Sequence, residues 1–228
     1  MKLLTVGNPK LMKGEKKGYL SFVLHLAPAD LSGKEVCPKR TAGCTSSCLN
    51  TAGRGGIFKK GDHTNAIQQA RIRRTKMFFE NRPQFFSDLI SDIQSAIRYA
   101  AKRGLTPAIR LNGTSDIAWE KYDIIQSFPD VQFYDYTKVR GRKVSHLKNY
   151  HLTFSRAESN EMDARLAASA GMNVAVVFKK ELPPTYFGKT VVNGDETDLR
   201  FLDPRGVIVG LKAKGKAKKD TSGFVVSC

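Results

Sequence analysis

The spacing of hydrophobic positions changes several times along the chain, and each change marks an element. Tyr19 to Leu26 (YLSFVLHL) is an aromatic and β-branched run of strand length. From about Thr64 to Phe79 the spacing becomes helical, breaks near Pro83, and resumes from Phe85 to Arg103 before Gly104. Ile67, Ala70, Arg71 and Arg74 share one face of the first of these helices. Ile72, Phe79 and the stripe Phe85, Leu89, Ile93, Ile97 are expected in the core.

Further on, Pro107 to Asn112 predicts a short strand ending in Gly113-Thr-Ser-Asp116, followed by a helix through Trp119 to Ser127. Val131–Tyr136, His151–Ser155, Asn173–Phe178 and Gly206–Leu211 predict four more strands, with a helix over Ser159–Ser169. Strands alternating with crossovers imply a mostly parallel sheet, because each parallel connection returns across a face. The expected fold is α/β, a partial (β/α) barrel of about six mostly parallel strands. Its length suits a single domain over residues 1–228 with a basic C-terminal tail.

Charge narrows the class of partner. The formal net charge is +17 at pH 7 with a pI near 9.8, which fits a polyanion such as nucleic acid. The positive residues are grouped at Lys10–Lys17, at Arg71, Arg73, Arg74 and Lys76, at Lys138–Lys148, and at Lys212, Lys214, Lys216, Lys218 and Lys219. Any one run alone reads as a solvated surface, whereas four with little compensating acid read as a binding face. No N-terminal secretory pattern and no apolar stretch of membrane-spanning length is seen, so the expected location is cytoplasmic, with no membrane partner.

In a reducing compartment clustered thiols are ligands more often than disulfides. Three of the four cysteines fall in Cys37-Pro-Lys-Arg-Thr-Ala-Gly-Cys44-Thr-Ser-Ser-Cys48, a polar loop after the first long strand, and the fourth is the last residue, Cys228. Thiolates suit iron–sulfur clusters or zinc, and a purely structural site takes four ligands. Zinc sites usually open with two to four intervening residues, so the six between Cys37 and Cys44 favour a [4Fe-4S] cluster, with zinc the alternative. Cys228 is the candidate fourth ligand, anchored by Phe224-Val-Val as a short strand; His63 and His25 are alternatives for zinc, and a Cys48–Cys228 disulfide is the bland reading.

Parallel α/β folds collect functional groups where strands end. The cysteine loop, Asn112–Asp116, Asp135–Lys138 and Ser155–Asn160 each follow a predicted strand, so the four loops are expected to share one rim. Asn112–Asp116 also reads as a turn in which Asp116 caps the next helix, and Arg156 with Glu158 as an ion pair. Arg71, Arg74, Tyr136, Lys138, Arg140 and Arg142 are the candidate nucleic-acid contacts; the preferred ligand is single-stranded if Tyr136 or Trp119 stacks on bases. Phosphate-loop, dinucleotide and hydrolase-elbow motifs are absent from the sequence.

Gly7-Asn8-Pro9-Lys10, the Cys37-Pro38 loop with Cys44 and Cys48, Arg110-Leu-Asn-Gly-Thr-Ser-Asp116 with Trp119, and Phe133-Tyr-Asp-Tyr-Thr-Lys138 together resemble an uncharacterised phage and plasmid family often called gene-product-eighty-eight-like. The resemblance covers about the first two thirds of the chain and implies a phage or mobile-element origin and a host-cytoplasmic setting. More remotely, the order of cysteine loop and second-strand loop is similar to radical S-adenosylmethionine enzymes. That resemblance implies that Cys37, Cys44 and Cys48 bind three irons, leaving one for a ligand. It further implies that S-adenosylmethionine binds at Asn112, Gly113, Ser115 and Asp116.

Two functional expectations follow. One is an iron–sulfur protein that binds nucleic acid, DNA in preference to RNA. The other is a radical S-adenosylmethionine-like enzyme that modifies a nucleic acid or nucleotide. A zinc-stapled binding protein ranks below both.

Overall fold

The computed structural model describes residues 1–6, 12–57 and 64–227. Ten strands form one sheet among them: β1 (Leu4–Thr5), β2 (Tyr19–Leu24), β3 (Thr106–Arg110), β4 (Gln132–Thr137), β5 (Tyr150–Ser155), β6 (Val174–Phe178), β7 (Thr185–Tyr186), β8 (Lys189–Asn193), β9 (Ile208–Lys212) and β10 (Val225–Val226). The order is β1-β2-β3-β4-β5-β6-β9-β8-β7, and every pair from β2 to β8 is parallel. Antiparallel β1 and β7 lie at the two edges, so the sheet is open. β10 pairs with Val177 and Phe178 of β6, just past the point where β5 stops pairing at Ala175.

Each predicted strand is present within one or two residues of its expected ends, including the short one at Val225–Val226. β1, β7 and β10 are two-residue strands, too short to carry a period. The β7–β8 hairpin turns at Phe187 and Gly188, both with positive φ (53° and 69°). An aromatic residue in that conformation gives no turn signal. The Phe187 ring packs at a tilt against Tyr186 and lies under the Arg165 guanidinium, 4.3 Å from the ring centroid.

Four α-helices accompany the sheet among the described residues: α1 (Ala42–Ser46), α2 (Ala66–Glu80), α3 (Arg82–Ala101) and α4 (Glu161–Ser169). Asn81 separates α2 from α3: its backbone N–H closes α2 on Met77 O, and its side chain caps Gln84 N at the start of α3, where Pro83 is tolerated. α3 delivers Phe85, Leu89 and Ile93, all fully buried, against Leu20, Phe22, Ile109 and Phe133 of the sheet. In α2 the buried residues are Gln68, Thr75 and Phe78, so Phe78 takes the core position expected of Phe79, which is 37% exposed. α4 packs Ala164 and Ala168 with Phe154, Val174 and Val176.

The helix expected from Trp119 to Ser127 is a single 3-10 turn, Trp119–Lys121, followed by further turns. Its backbone is claimed by side chains outside it: Asn149 Nδ2 donates to the carbonyls of Ile125, Phe128 and Val131. Trp119, Ile124 and Ile125 are all buried, which a one-faced surface helix would not allow.

Candidate functional site

After β2 the chain enters the cysteine loop, held at its start by Thr75 of α2, whose hydroxyl accepts the Ala27 N–H at 2.8 Å. Val36 N–H bonds Ala29 O, and Arg40 reaches both Glu35 and Asp30, so the loop is tied across its own neck. The Cys37 sulfur accepts the Ala29 N–H at 3.5 Å and faces Thr114 O at 3.8 Å. Burial pushes its thiol up to about 12, and Cys48, Cys44 and Asp116 add smaller upward pushes.

Cys44 lies on α1. Thr41 caps that helix by accepting Cys44 N–H at 3.1 Å, and Glu158 from the loop after β5 accepts from both Thr41 Oγ1 and Gly43 N–H at 2.7 Å. A Cβ on Gly43 would fall 2.0 Å from Ser222 Oγ and 2.8 Å from Phe224 Cβ, so only glycine lets the C-terminal segment close over α1. Cys44 itself packs beside Ala157, Phe224 and Val225. Cys48 accepts the Asn50 N–H at 3.5 Å, and Asn50 Oδ1 accepts from Arg71 Nη1 at 2.5 Å. Burial raises the Cys48 thiol, and Lys138 and Arg71 oppose that rise.

The other three loops meet this one, as expected. Asp116 N–H bonds Val36 O at 2.8 Å, and Thr114 Oγ1 bonds Leu26 O at 2.6 Å. Asp116 Oδ2 accepts Lys138 N–H, and Lys138 Nζ lies 3.2 Å from Ser155 Oγ. Arg156 donates to the carbonyls of Gly223 and Phe224 and pairs with Glu161. The expected Arg156–Glu158 ion pair is thus replaced: Glu158 is spent on α1, and Arg156 on the C-terminal segment.

Asn112 is a hub rather than a free ligand-binding side chain. Its Oδ1 accepts from Ser115 Oγ, Ile117 N–H and Trp119 Nε1, while its own donors go to Ile117 O and to Asp135. Ser115 is spent on that hub. Gly113 serves packing, since a Cβ there would meet Val23 Cγ1 at 2.6 Å and Leu24 O at 2.7 Å. Of the four residues assigned to S-adenosylmethionine, Asp116 has one carboxylate oxygen without a hydrogen bond among the described residues, and that oxygen is 3.6 Å from Arg142. Burial raises the Asp116 carboxyl, and the Lys138 N–H acts against this.

Among the described residues no three His, Cys, Asp or Glu side chains lie close enough together to hold a metal ion. The donors suit a metal in kind: three soft sulfurs share one loop, and two of them already accept backbone N–H groups, as ligating thiolates do. Cys228 and His63 lie outside the described residues, as do Gly7, Asn8, Pro9 and Lys10. His25 is half-buried and held down to about 3 by desolvation and by Arg71, Arg110 and Arg74, with Nδ1 3.3 Å from Thr5 Oγ1.

Several proposed nucleic-acid contacts have other duties. The Arg142 side chain is 4% exposed, bonded to Glu120 and to Tyr150 Oη, and cannot reach a polymer. Trp119 is fully buried and offers no face to a base, and the half-buried Tyr136 ring has one face under the Arg110 guanidinium at 4.6 Å. Arg74 donates to Lys2 O. Arg140 is exposed and pairs at 3.3 Å with Asp163.

Folding also brings a second basic run to the site. The 3-10 turn Gly215–Lys219 lies on the cysteine loop, with Gly215 against Ala52. Ser46, Ser47, Lys216, Lys219 and residues 220–222 line a shallow groove of about 350 Å³ there. Asn50 and Glu158, which position the thiols, carry no distinguishing pattern in the sequence. They act through contacts 21 and 115 or more positions away in the chain.

No helix of the described residues is long and apolar enough to cross a membrane. No curated protein and no solved structure matches the chain. The family described as Gene product 88 matches residues 2–228, beyond the two thirds that the motifs alone suggested, and the chain belongs to that family.

Proposed function

We propose that the chain is an iron–sulfur protein that binds DNA in preference to RNA. In this reading Cys37, Cys44 and Cys48 ligate the cluster and Cys228 supplies the fourth thiolate. The observation that carries it is that one loop holds three cysteines, with Arg71 and Lys138 acting on Cys48 and the Gly215–Lys219 turn packed beside that loop. A bound [4Fe-4S] cluster would supply a rigid anchor for the loop, or a redox centre. The chain's own part is clearer: Ala29 and Asn50 N–H groups offset thiolate charge, and Glu158 and Thr41 orient α1. Exposed Arg140 and the lysine turn then meet phosphates through sequence-independent, salt-sensitive contacts. With Trp119 buried and one face of Tyr136 covered, a single-strand preference has no support.

The radical S-adenosylmethionine-like reading is kept second, because the parallel strands follow one another in chain order from β2 to β6, as in a partial barrel, and Cys37 touches the loop after β3. There Asp116 is the remaining cofactor-facing candidate. Zinc in place of iron is the third reading.

Anaerobic purification with iron, sulfide and zinc analysis, on the wild type and on Cys228→Ser, tests all three. About four irons and four sulfides with an absorption band near ~400 nm establish the cluster. Loss of that cluster in Cys228→Ser supports the closed binding site, and its retention supports the enzyme. One zinc without iron discards both iron readings, and metal-free protein discards all three.

A further inference from the structure

The lysine turn stands on a small foundation. After β9 the chain makes the turn Gly215–Lys219 and returns as β10 beside β6. Beneath it, Ala213, Ala217, Phe224 and Val225 form an apolar cluster with Ala157, and Cys44 packs against that cluster. Three of its five buried members are alanines, so the apolar area holding the turn down is slight. Segments held by few buried apolar contacts open locally at a fraction of the global unfolding free energy.

The remaining supports belong to the thiol loop and its neighbours. Ser222 and Phe224 close over Gly43, the residue before Cys44, where no Cβ fits. Gly215 rests on Ala52, just past Cys48. Glu158 accepts from Thr41 Oγ1 and Gly43 N–H on one side and lies beside Gly223 on the other. Lys216 and Lys219 then face Ser46 and Ser47, which stand between Cys44 and Cys48, across the groove. Asp220 turns both carboxylate oxygens into its own segment, to Ser222 Oγ and Val225 N–H. Lys214 pairs with Asp195, whereas Lys216, Lys218 and Lys219 have no carboxylate at ion-pair distance among the described residues.

We infer that the thiols and the lysine turn are coupled: closing residues 37–48 on a metal secures α1 as the base of the turn, and the secured turn binds DNA more tightly. The inference rests on the metal-and-DNA reading above and adds that one controls the other; it holds for zinc as for iron. Coupling is reciprocal, so DNA on the lysines tightens the thiols' hold on metal by the same factor, ordinarily about 5–150. Loss of the metal is thereby a signal that releases DNA.

Titration with a short labelled DNA duplex at fixed salt, on the full chain as purified and after chelation, tests the coupling, with the metal content of each sample measured. The metal-bound form is expected to bind about fivefold or more tightly, and the metal-free form to exchange amide hydrogens faster over residues 213–226. In return, DNA should raise the chelator concentration needed to strip the wild type, and raise it less in the double variant Lys216→Gln/Lys219→Gln. Gly43→Ala forces Ser222 and Phe224 off α1, so it should weaken DNA binding and speed the same exchange even with metal bound. If chelation changes the affinity but not the exchange, the charge of the metal centre is the cause and the coupling is overturned. If it changes neither, or the exchange alone, the coupling is overturned while the metal-and-DNA reading stands. A chain that is metal-free as purified, or that binds no DNA, overturns both.

Discussion

On the helix-covered face of the sheet, Phe22, Ile109, Phe133 and Leu152 belong to one apolar cluster with Phe78, Phe85 and Leu89. On the opposite face the same four strands present Val23, Arg110, Tyr136 and Thr153. The first face is closed chemistry: even its polar members, Asn112, Asp135 and Tyr150, bond one another. The second holds ion pairs, two histidines and hydroxyls with no partner among the described residues. Alternation along a strand lets one backbone present an apolar layer on one side and buried charge on the other.

The contrast breaks first at Phe85. That side chain is fully buried and meets Phe78, Phe86 and Trp119, so Phe85→Ala should cost about 3–5 kcal/mol in urea unfolding. Tyr136→Phe and Thr153→Val on the other face, each removing a hydroxyl without a hydrogen-bond partner among the described residues, should cost less than about 1 kcal/mol. A loss below about 1 kcal/mol in Phe85→Ala would deny the helix-covered face its structural role.

The two faces should also respond to pH with opposite sign. Burial, opposed by the Asn112 N–H and by Arg110, raises Asp135 to about 7. The folded chain then keeps a proton that the unfolded chain releases. This contribution is full below the ordinary carboxylate range near ~4 and is lost as pH rises through about 7. Burial, with Arg200 and Arg205, lowers His151 to about 4. Its contribution is present above the ordinary histidine value near ~6.5 and is lost as pH falls through about 4. Unfolding curves from pH 4 to 8 should therefore show Asp135→Asn gaining on the wild type as pH rises, and His151→Gln gaining on it as pH falls. Parallel profiles for all three proteins would remove the distinction.

The smallest effect belongs to the rim. Arg140→Gln breaks an exposed pair and should change stability by no more than about 0.5 kcal/mol. The same change should lower the slope of log affinity for DNA against log salt by about one, with little dependence on DNA sequence. An unaltered slope would place the DNA contacts elsewhere.

The strands and α3 were legible because each is a continuous stretch with one period, and periodicity is a local property. Phe85, Leu89 and Ile93 needed only their spacing. α2 was legible as a helix but not in what it buries: Gln68 donates to Gly55 O and Thr75 accepts from Ala27, so its inner face is polar, and apolar counting placed Phe79 where Phe78 belongs. Trp119–Ser127 was misread because Asn149 takes carbonyls that a helix would have used. Cys37, Cys44 and Cys48 were found as a cluster because they are close in sequence. Arg142 and Trp119 were misassigned because burial depends on residues far away in the chain.

By itself the sequence determined the α/β alternation, the strand positions, the thiol cluster and the excess of positive charge, all properties of composition and short-range spacing. Only the tertiary structure decided which cations are compensated. Arg142 meets Glu120 across 22 residues and Arg110 meets Asp198 across 88, while Arg71 and Lys138 meet no carboxylate among the described residues. A charge is neutralised by what stands within a few ångströms of it, and chain folding sets that distance where sequence separation does not.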